Sequence, residues 1–210
     1  MKKLLPVLTF ALTSFTLSAQ TNSNPFKSIY VEGGGGVANH NGAYAQLGVK
    51  GVLKNNWMMG VSYYSVDMDP KNLPSDYEPG ATVIIILPLP DAMPSVNMKL
   101  INFTGGRFFQ LGRKTWFTTE AGISIVSGKI LEFKPQAVEF DWAYITSNYS
   151  TTEKSKTTIG GIVKADFTWA MTRHFGLGIG TFGNVNSIQS PVGFEIKLLV
   201  GALRGKTIKK

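Results

Sequence analysis

The 210-residue chain reads as an all-β protein, a single antiparallel up-and-down transmembrane β-barrel of eight strands. Three observations predict this class. Long stretches alternate apolar with polar or small side chains at a period of two, most clearly from Val192 to Leu203. There Val192, Phe194, Ile196, Leu198, Val200 and Ala202 share one face, and Gly193, Glu195, Lys197 and Gly201 the other. Such a stretch has the length of a strand tilted across a bilayer, roughly 9–11 residues. The connections between these stretches alternate between tight turns and longer segments. The amino terminus has the build of an export signal. In hydrocarbon every backbone N–H and C=O needs a protein partner, so strands of this kind must close on themselves.

The signal comprises basic Met1-Lys2-Lys3, an apolar run from Leu4 to Leu17, and Ser18-Ala19, with cleavage expected after Ala19. The apolar run is shorter than the roughly 20 residues of a spanning helix. Without cysteine the chain has no disulfide framework, no thiol nucleophile and no lipid-attachment site. The formal net charge is +8, and its one dense cluster, Arg204, Lys206, Lys209 and Lys210, reads as a solvated basic periplasmic tail over 204–210, not as a nucleic-acid site.

Residues 20–27 form a periplasmic N-terminal segment, and 28–203 the barrel. In the first strand Ile29, Val31, Gly33, Gly35 and Val37 face one way, and Tyr30, Glu32, Gly34 and Gly36 the other. Its four consecutive glycines lack the helix and Gly-Lys-Ser/Thr of a phosphate loop, and read as curvature and close backbone approach. Gly201 to Thr207 is one residue short of the same motif and is set aside likewise. Asn39-His40-Asn41-Gly42 is a turn. The second strand alternates Ala45, Leu47, Val49, Gly51 and Leu53 against Tyr44, Gln46, Gly48, Lys50 and Val52; Lys54-Asn55-Asn56 turns the chain; and the third strand starts at Trp57, with Met59, Val61 and Tyr63 outward.

A first long loop is expected over residues 67–96, where six prolines break the rhythm. Within it Thr82-Val83-Ile84-Ile85-Ile86-Leu87 is so β-prone that it must pair or be covered. In the fourth strand, Met98 to Phe109, strict alternation with Arg107 inward would turn Asn102 and Thr104 to lipid. A bulge at Gly105-Gly106 is therefore expected, which turns Ile101 and Phe103 outward. After the turn Gln110 to Lys114, the fifth strand puts Phe117, Thr119, Ala121, Ile123 and Ile125 outward and Thr118, Glu120, Gly122 and Ser124 inward. A second long loop is expected over 128–157, where Phe140, Trp142 and Tyr144 alternate with Glu139, Asp141 and Ala143 as a projecting amphipathic strand. The sixth strand holds Lys164, Asp166 and Thr168 inward, Thr172-Arg173-His174 turns, and the seventh, Phe175 to Gly183, turns glycines 176, 178 and 180 inward. Val192 to Leu203 is the eighth, expected to pair antiparallel with Ile29 to Val37 and close the barrel.

A ten-strand barrel, with Thr82 to Leu89 and Val138 to Ser147 added to the wall, is the alternative; eight is preferred because the aromatic-flanked turn at residues 111–114 resembles the other two tight turns. A soluble lipocalin-like barrel would reverse the two faces, which alternation alone does not distinguish. Taken with the signal and the alternation of short turns with long loops, the mature sequence resembles the small eight-stranded outer-membrane β-barrel proteins of Gram-negative bacteria. The resemblance implies residence in the outer membrane, contact with its lipid and a monomeric state.

Eight charged residues fall on the inward phase: Glu32, Lys50, Arg107, Glu120, Lys164, Asp166, Glu195 and Lys197, four acidic and four basic. An eight-stranded barrel is just wide enough for side chains to fill it, so a balanced ion-pair core is expected in preference to a conducting path. In the long loops Ile84, Ile85, Ile86, Phe140, Trp142 and Tyr144 are the candidate partner-facing residues, for an extracellular protein or other surface ligand. The two histidines, His40 and His174, are expected at opposite rims and cannot share a metal; no metal and no cofactor are expected. His40 with a nearby serine would be the one candidate for the lipid A chemistry known among such barrels. A non-enzymatic barrel that displays its loops for binding, adhesion or envelope integrity is preferred over that enzyme and over a narrow channel.

Overall fold

Alternation at period two gives each wall strand one apolar face and one polar or small face, and tight turns between successive strands impose antiparallel pairing. The computed structural model describes residues 25–84, 87–90, 93–141 and 144–203. Its strands are β1 (Phe26–Ala38), β2 (Gly42–Leu53), β3 (Trp57–Met68), β4 (Ala81–Ile84), β5 (Leu87–Pro90), β6 (Val96–Gln110), β7 (Thr115–Pro135), β8 (Phe140–Asp141), β9 (Tyr144–Ile145), β10 (Tyr149–Trp169), β11 (Phe175–Val185) and β12 (Val192–Ala202). Eight of them close a barrel in the order β1-β12-β11-β10-β7-β6-β3-β2. The remaining four form a separate sheet, β5-β4-β9-β8, so the two segments of the ten-strand alternative lie outside the wall.

Closure falls where the sequence places it. β12 pairs antiparallel with β1 from Ile29↔Ala202 to Ala38↔Gly193. Two glycines make the approach possible: a Cβ on Gly34 would stand 2.2 Å from the Ile196 carbonyl oxygen, and one on Gly36 1.8 Å from that of Phe194. At the turn between β1 and β2, His40 and Asn41 adopt φ of 52° and 50°, and Gly42 N–H bonds to Asn39 O at 3.2 Å. Asparagine is among the few residues that enter this left-handed region readily.

The turns after β2, β6 and β10 and both described termini share one end, here the short-turn end; the connections after β1, β3, β7 and β11 share the other, the long-loop end. Much of the segment expected as a second loop over 128–157 is strand. β7 and β10 are 21 residues each and stay paired up to Pro135↔Tyr149, beyond the last β6 partner at Gly128, so they stand above the wall as a hairpin.

The face assignment is inside-out relative to a soluble barrel. Leu47, Ile123, Val163, Ile179, Phe194 and Ile196 are each 60–71% exposed, while Lys50, Glu120, Lys164, Asp166, Glu195 and Lys197 on the inward phase of the same wall are buried. The lipocalin-like alternative is thereby excluded.

Candidate functional site: the filled lumen and the loop-borne sheet

Inward side chains stack in three layers. Nearest the short turns lie Tyr30, Val52, Met58, Phe108, Trp116 and Leu199; towards the long loops lie Tyr44, Tyr64, Met98, Leu100, Val126 and Phe182 among others. Between these apolar layers sits a charged one. The Tyr44, Tyr64 and Phe182 rings pack with centroids 4.7–5.7 Å apart above it.

Seven of the eight predicted charges meet in the middle layer: Glu32 from β1, Lys50 from β2, Glu120 from β7, Lys164 and Asp166 from β10, and Glu195 and Lys197 from β12, all at most 5% exposed. Lys50 reaches Glu32 at 3.1 Å and Asp166 at 3.3 Å, and also bonds Glu120. Lys164 lies 3.3 Å from Glu32 and 3.7 Å from Glu195. Lys197 lies 2.7 Å from Asp166, 2.8 Å from Glu195 and 3.4 Å from Glu32. Each ammonium is shared by at least two carboxylates, the arrangement that compensates the desolvation of charges buried together.

Uncharged groups complete the layer. Thr104 Oγ1 donates to Glu120 at 2.7 Å, and the Tyr64 hydroxyl to Glu195 at 3.2 Å. A further chain runs Asn184 to Ser124 at 2.7 Å and Ser124 to Asn102 at 2.6 Å. The charge pattern alone does not single these out; their inward phase does.

Arg107 does not join. The pairing of β6 with β3 and β7 runs in unbroken register through Gly105 and Gly106, so the expected bulge is absent and strict alternation turns Asn102 and Thr104 inward and Arg107 outward. The physical reason is its height. Close to the short-turn end a long cationic side chain reaches the polar rim; its guanidinium lies 4.5 Å over the Trp57 ring and donates to Asn55 O at 3.4 Å. Gly106 takes the inward position beside Glu120, where a Cβ would fall 2.0 Å from Thr119 O. The lumen layer therefore holds four carboxylates and three ammoniums, not four and four.

The candidate loop residues are partly brought together. β4 pairs with β5 (Ile84↔Leu87) and with β9 (Ala81↔Ile145, Thr82↔Tyr144), which joins the two long connections in one sheet. Phe140 and Tyr144 do not share one projecting strand: β8 and β9 pair antiparallel with each other, Phe140↔Ile145 and Asp141↔Tyr144. Phe140 is 71% exposed. Ile85, Ile86 and Trp142 lie outside the described residues, and for Ile84 only the backbone is described. The segment before β4 is tied to the β7–β10 hairpin: the Tyr149 hydroxyl bonds Asp76 at 2.9 Å, Asn148 Nδ2 donates to Asp76 O at 2.6 Å, and Asn72 Nδ2 donates to Leu131 O at 2.8 Å. The bond to Asp76 raises the Tyr149 pKa, and that from Lys154 lowers the Glu132 pKa. His40 and His174 sit at opposite ends, and no serine–histidine hydrogen bond occurs among the described residues.

In structure the chain is similar to Neisserial surface protein A, with a TM-score of 0.51 and 13% sequence identity over 82% of this chain and 95% of that one. It is also similar to the N-terminal β-barrel domain of Pseudomonas aeruginosa OprF (TM-score 0.49, 11% identity, 85% and 99% covered). A further similarity is to Ail, the attachment invasion locus protein of Yersinia pestis (TM-score 0.47, 10% identity, 83% and 95% covered). No protein-family model matches the sequence, and no curated protein matches it. The chain has the fold of the small eight-stranded outer-membrane β-barrel proteins.

Proposed function

We propose that the protein is an outer-membrane anchor, with a lumen closed by its buried ion layer, that holds the sheet β5-β4-β9-β8 above the outer leaflet as a binding surface. An apolar outer wall around a charged interior supports the membrane reading, since soluble monomers rarely expose contiguous apolar surface of this extent. The short turns then face the periplasm and the long loops the exterior. A cleaved signal at residues 1–19 would deliver the chain there.

One observation carries the binding role. Two loops far apart in sequence are built into a single sheet, with β5 and β8 at its edges, and a membrane anchor needs no such sheet. A sheet edge accepts an extended partner strand through backbone hydrogen bonds, and exposed Val138 and Phe140 beside it offer apolar anchors. The occupant is an extracellular protein or other surface ligand, with no chemistry required of the barrel. The test replaces residues 136–147 by a short Gly-Ser turn in cells displaying the protein. Surface attachment is expected to fall to background while heat-modifiable gel migration and protease accessibility of the remaining loops persist. Undiminished attachment would overturn the binding role.

A further inference from the structure

The charges of this barrel are sorted by height. Among the described residues acidic side chains occur only in the lumen and towards the long-loop end, where signs mix: Lys154 pairs with Glu132 at 2.6 Å and Lys129 with Glu153. The short-turn end carries Lys27, Lys54, Arg107, Arg113, Lys114 and Arg173 with no described carboxylate among them. All except half-buried Lys27 are exposed.

Their contacts position these cations without neutralising them. Lys27 Nζ donates to Asn56 Oδ1 at 3.1 Å and Gln110 Oε1 at 3.0 Å, and lies 4.6 Å from the Phe108 ring centroid. Arg107 rests on Trp57 and a backbone carbonyl. Directly beside them the outward face turns apolar and aromatic, with Trp57, Phe109, Leu111, Trp169 and Met171 each at least 40% exposed. Aromatic side chains at such a boundary mark the level of lipid head groups. A ring of like charge at that level repels itself unless anions lie within a screening length.

The geometry points to a binding surface for anionic glycerophospholipid, whose phosphodiesters in the leaflet at the short-turn end neutralise this rim. The inference rests on the membrane reading above, which supplies the leaflet. Charge complementarity selects the occupant: uncompensated cations at head-group depth, next to aromatics that seat between head groups and chains. A zwitterionic lipid carries no net charge to answer six cations. A soluble polyanion would meet the charges but would leave the adjoining apolar band uncovered. Near a surface each Lys or Arg favours anionic lipid by on the order of five-fold, so several together give a measurable preference.

The test uses the full mature chain folded into nanodiscs of equal parts phosphatidylcholine and phosphatidylglycerol, with native mass spectrometry of the lipids that stay bound on ejection. Phosphatidylglycerol is expected to be enriched several-fold over phosphatidylcholine. The enrichment is expected to disappear in Arg107→Gln/Arg113→Gln/Lys114→Gln/Arg173→Gln and to survive in Lys99→Gln/Lys134→Gln at the long-loop end. Equal retention of the two lipids, or enrichment that persists in the rim variant, overturns the proposal. So does co-sedimentation of a polyglutamate peptide with rim-intact barrels in pure phosphatidylcholine if phosphatidylglycerol shows no enrichment, since that assigns the rim to a soluble polyanion. Failure of the chain to enter nanodiscs at all overturns the membrane reading itself, whereas insertion without lipid preference overturns this inference alone.

Discussion

Lys50 is the residue on which the lumen turns, because its ammonium is shared by Glu32, Glu120 and Asp166. Lys50→Met leaves three buried carboxylates with fewer cations, and removing one partner of a buried ionic cluster costs about 3–5 kcal/mol. Glu120→Gln behaves differently. It leaves Lys50 with two carboxylates and turns a four-to-three excess of acid into three-to-three, so its cost is expected near that of one hydrogen bond, about 1 kcal/mol. Urea-unfolding midpoints of the two variants folded into the same vesicles give the comparison; an equal or larger loss for Glu120→Gln would contradict the sharing geometry. At Gly36 the constraint is steric. A side chain there would enter the Phe194 carbonyl, so Gly36→Val is expected to prevent β1–β12 pairing and abolish the fast-migrating folded band on unheated gels.

Among the elements, the part of the β7–β10 hairpin beyond Gly128 extends past the closed wall. Above Gly128 each of its strands is paired in the sheet only with the other, and its ion pairs, Lys129–Glu153 and Lys154–Glu132, stand in solvent where such pairs contribute little. The Lys154 hydrogen bond holds the Glu132 carboxyl below its ordinary value of 4.5. A depressed carboxylate stabilises the hairpin fully above its unfolded pKa and loses that contribution as the pH falls through the folded one. Amide exchange in the hairpin, corrected for intrinsic rate, is therefore expected to stay constant from neutrality down to about pH 5 and to quicken only under more acid conditions. Faster exchange at pH 6 would mean that another group governs it.

At the scale of the whole molecule the question is conduction. Apolar layers close the barrel above and below the charged one, and the residues of all three are buried. Eight strands leave no room for a water column once side chains of this size turn inward. Planar bilayers holding the purified barrel are expected to show no unitary conductance steps, and Lys50→Met is expected not to open any, since Tyr30, Phe108 and Trp116 on one side and Tyr64 and Phe182 on the other remain. Steady ohmic steps in the wild-type chain would refute the closed lumen.

Period-two alternation over Val192–Leu203 and its counterparts, with the tight turns between them, determined the eight wall strands and the closing pair, because side chains on successive residues must point to opposite faces of a strand; that β7 and β10 run on to Pro135 and from Tyr149, through the expected loop over 128–157, it did not show. The same arithmetic assigned seven lumen charges, and it failed at Arg107 through one assumption, that an arginine in a wall strand must turn inward. Near a rim it need not, and height above the membrane plane is not written in the alternation. Which face lay inside was also undecided by the sequence, since the pattern is unchanged when the barrel is turned inside out. Tertiary structure decided it, together with every contact that crosses the lumen. Glu120 and Lys164 sit directly opposite one another on neighbouring strands, yet Glu120 pairs with Lys50 on β2, three strands away around the wall, and Lys164 reaches Glu32 and Glu195 on strands that are not its neighbours. Alternation fixes which face a charge occupies; its partner depends on how the sheet curls, and only the closed barrel brings strands that are not neighbours within reach across the lumen.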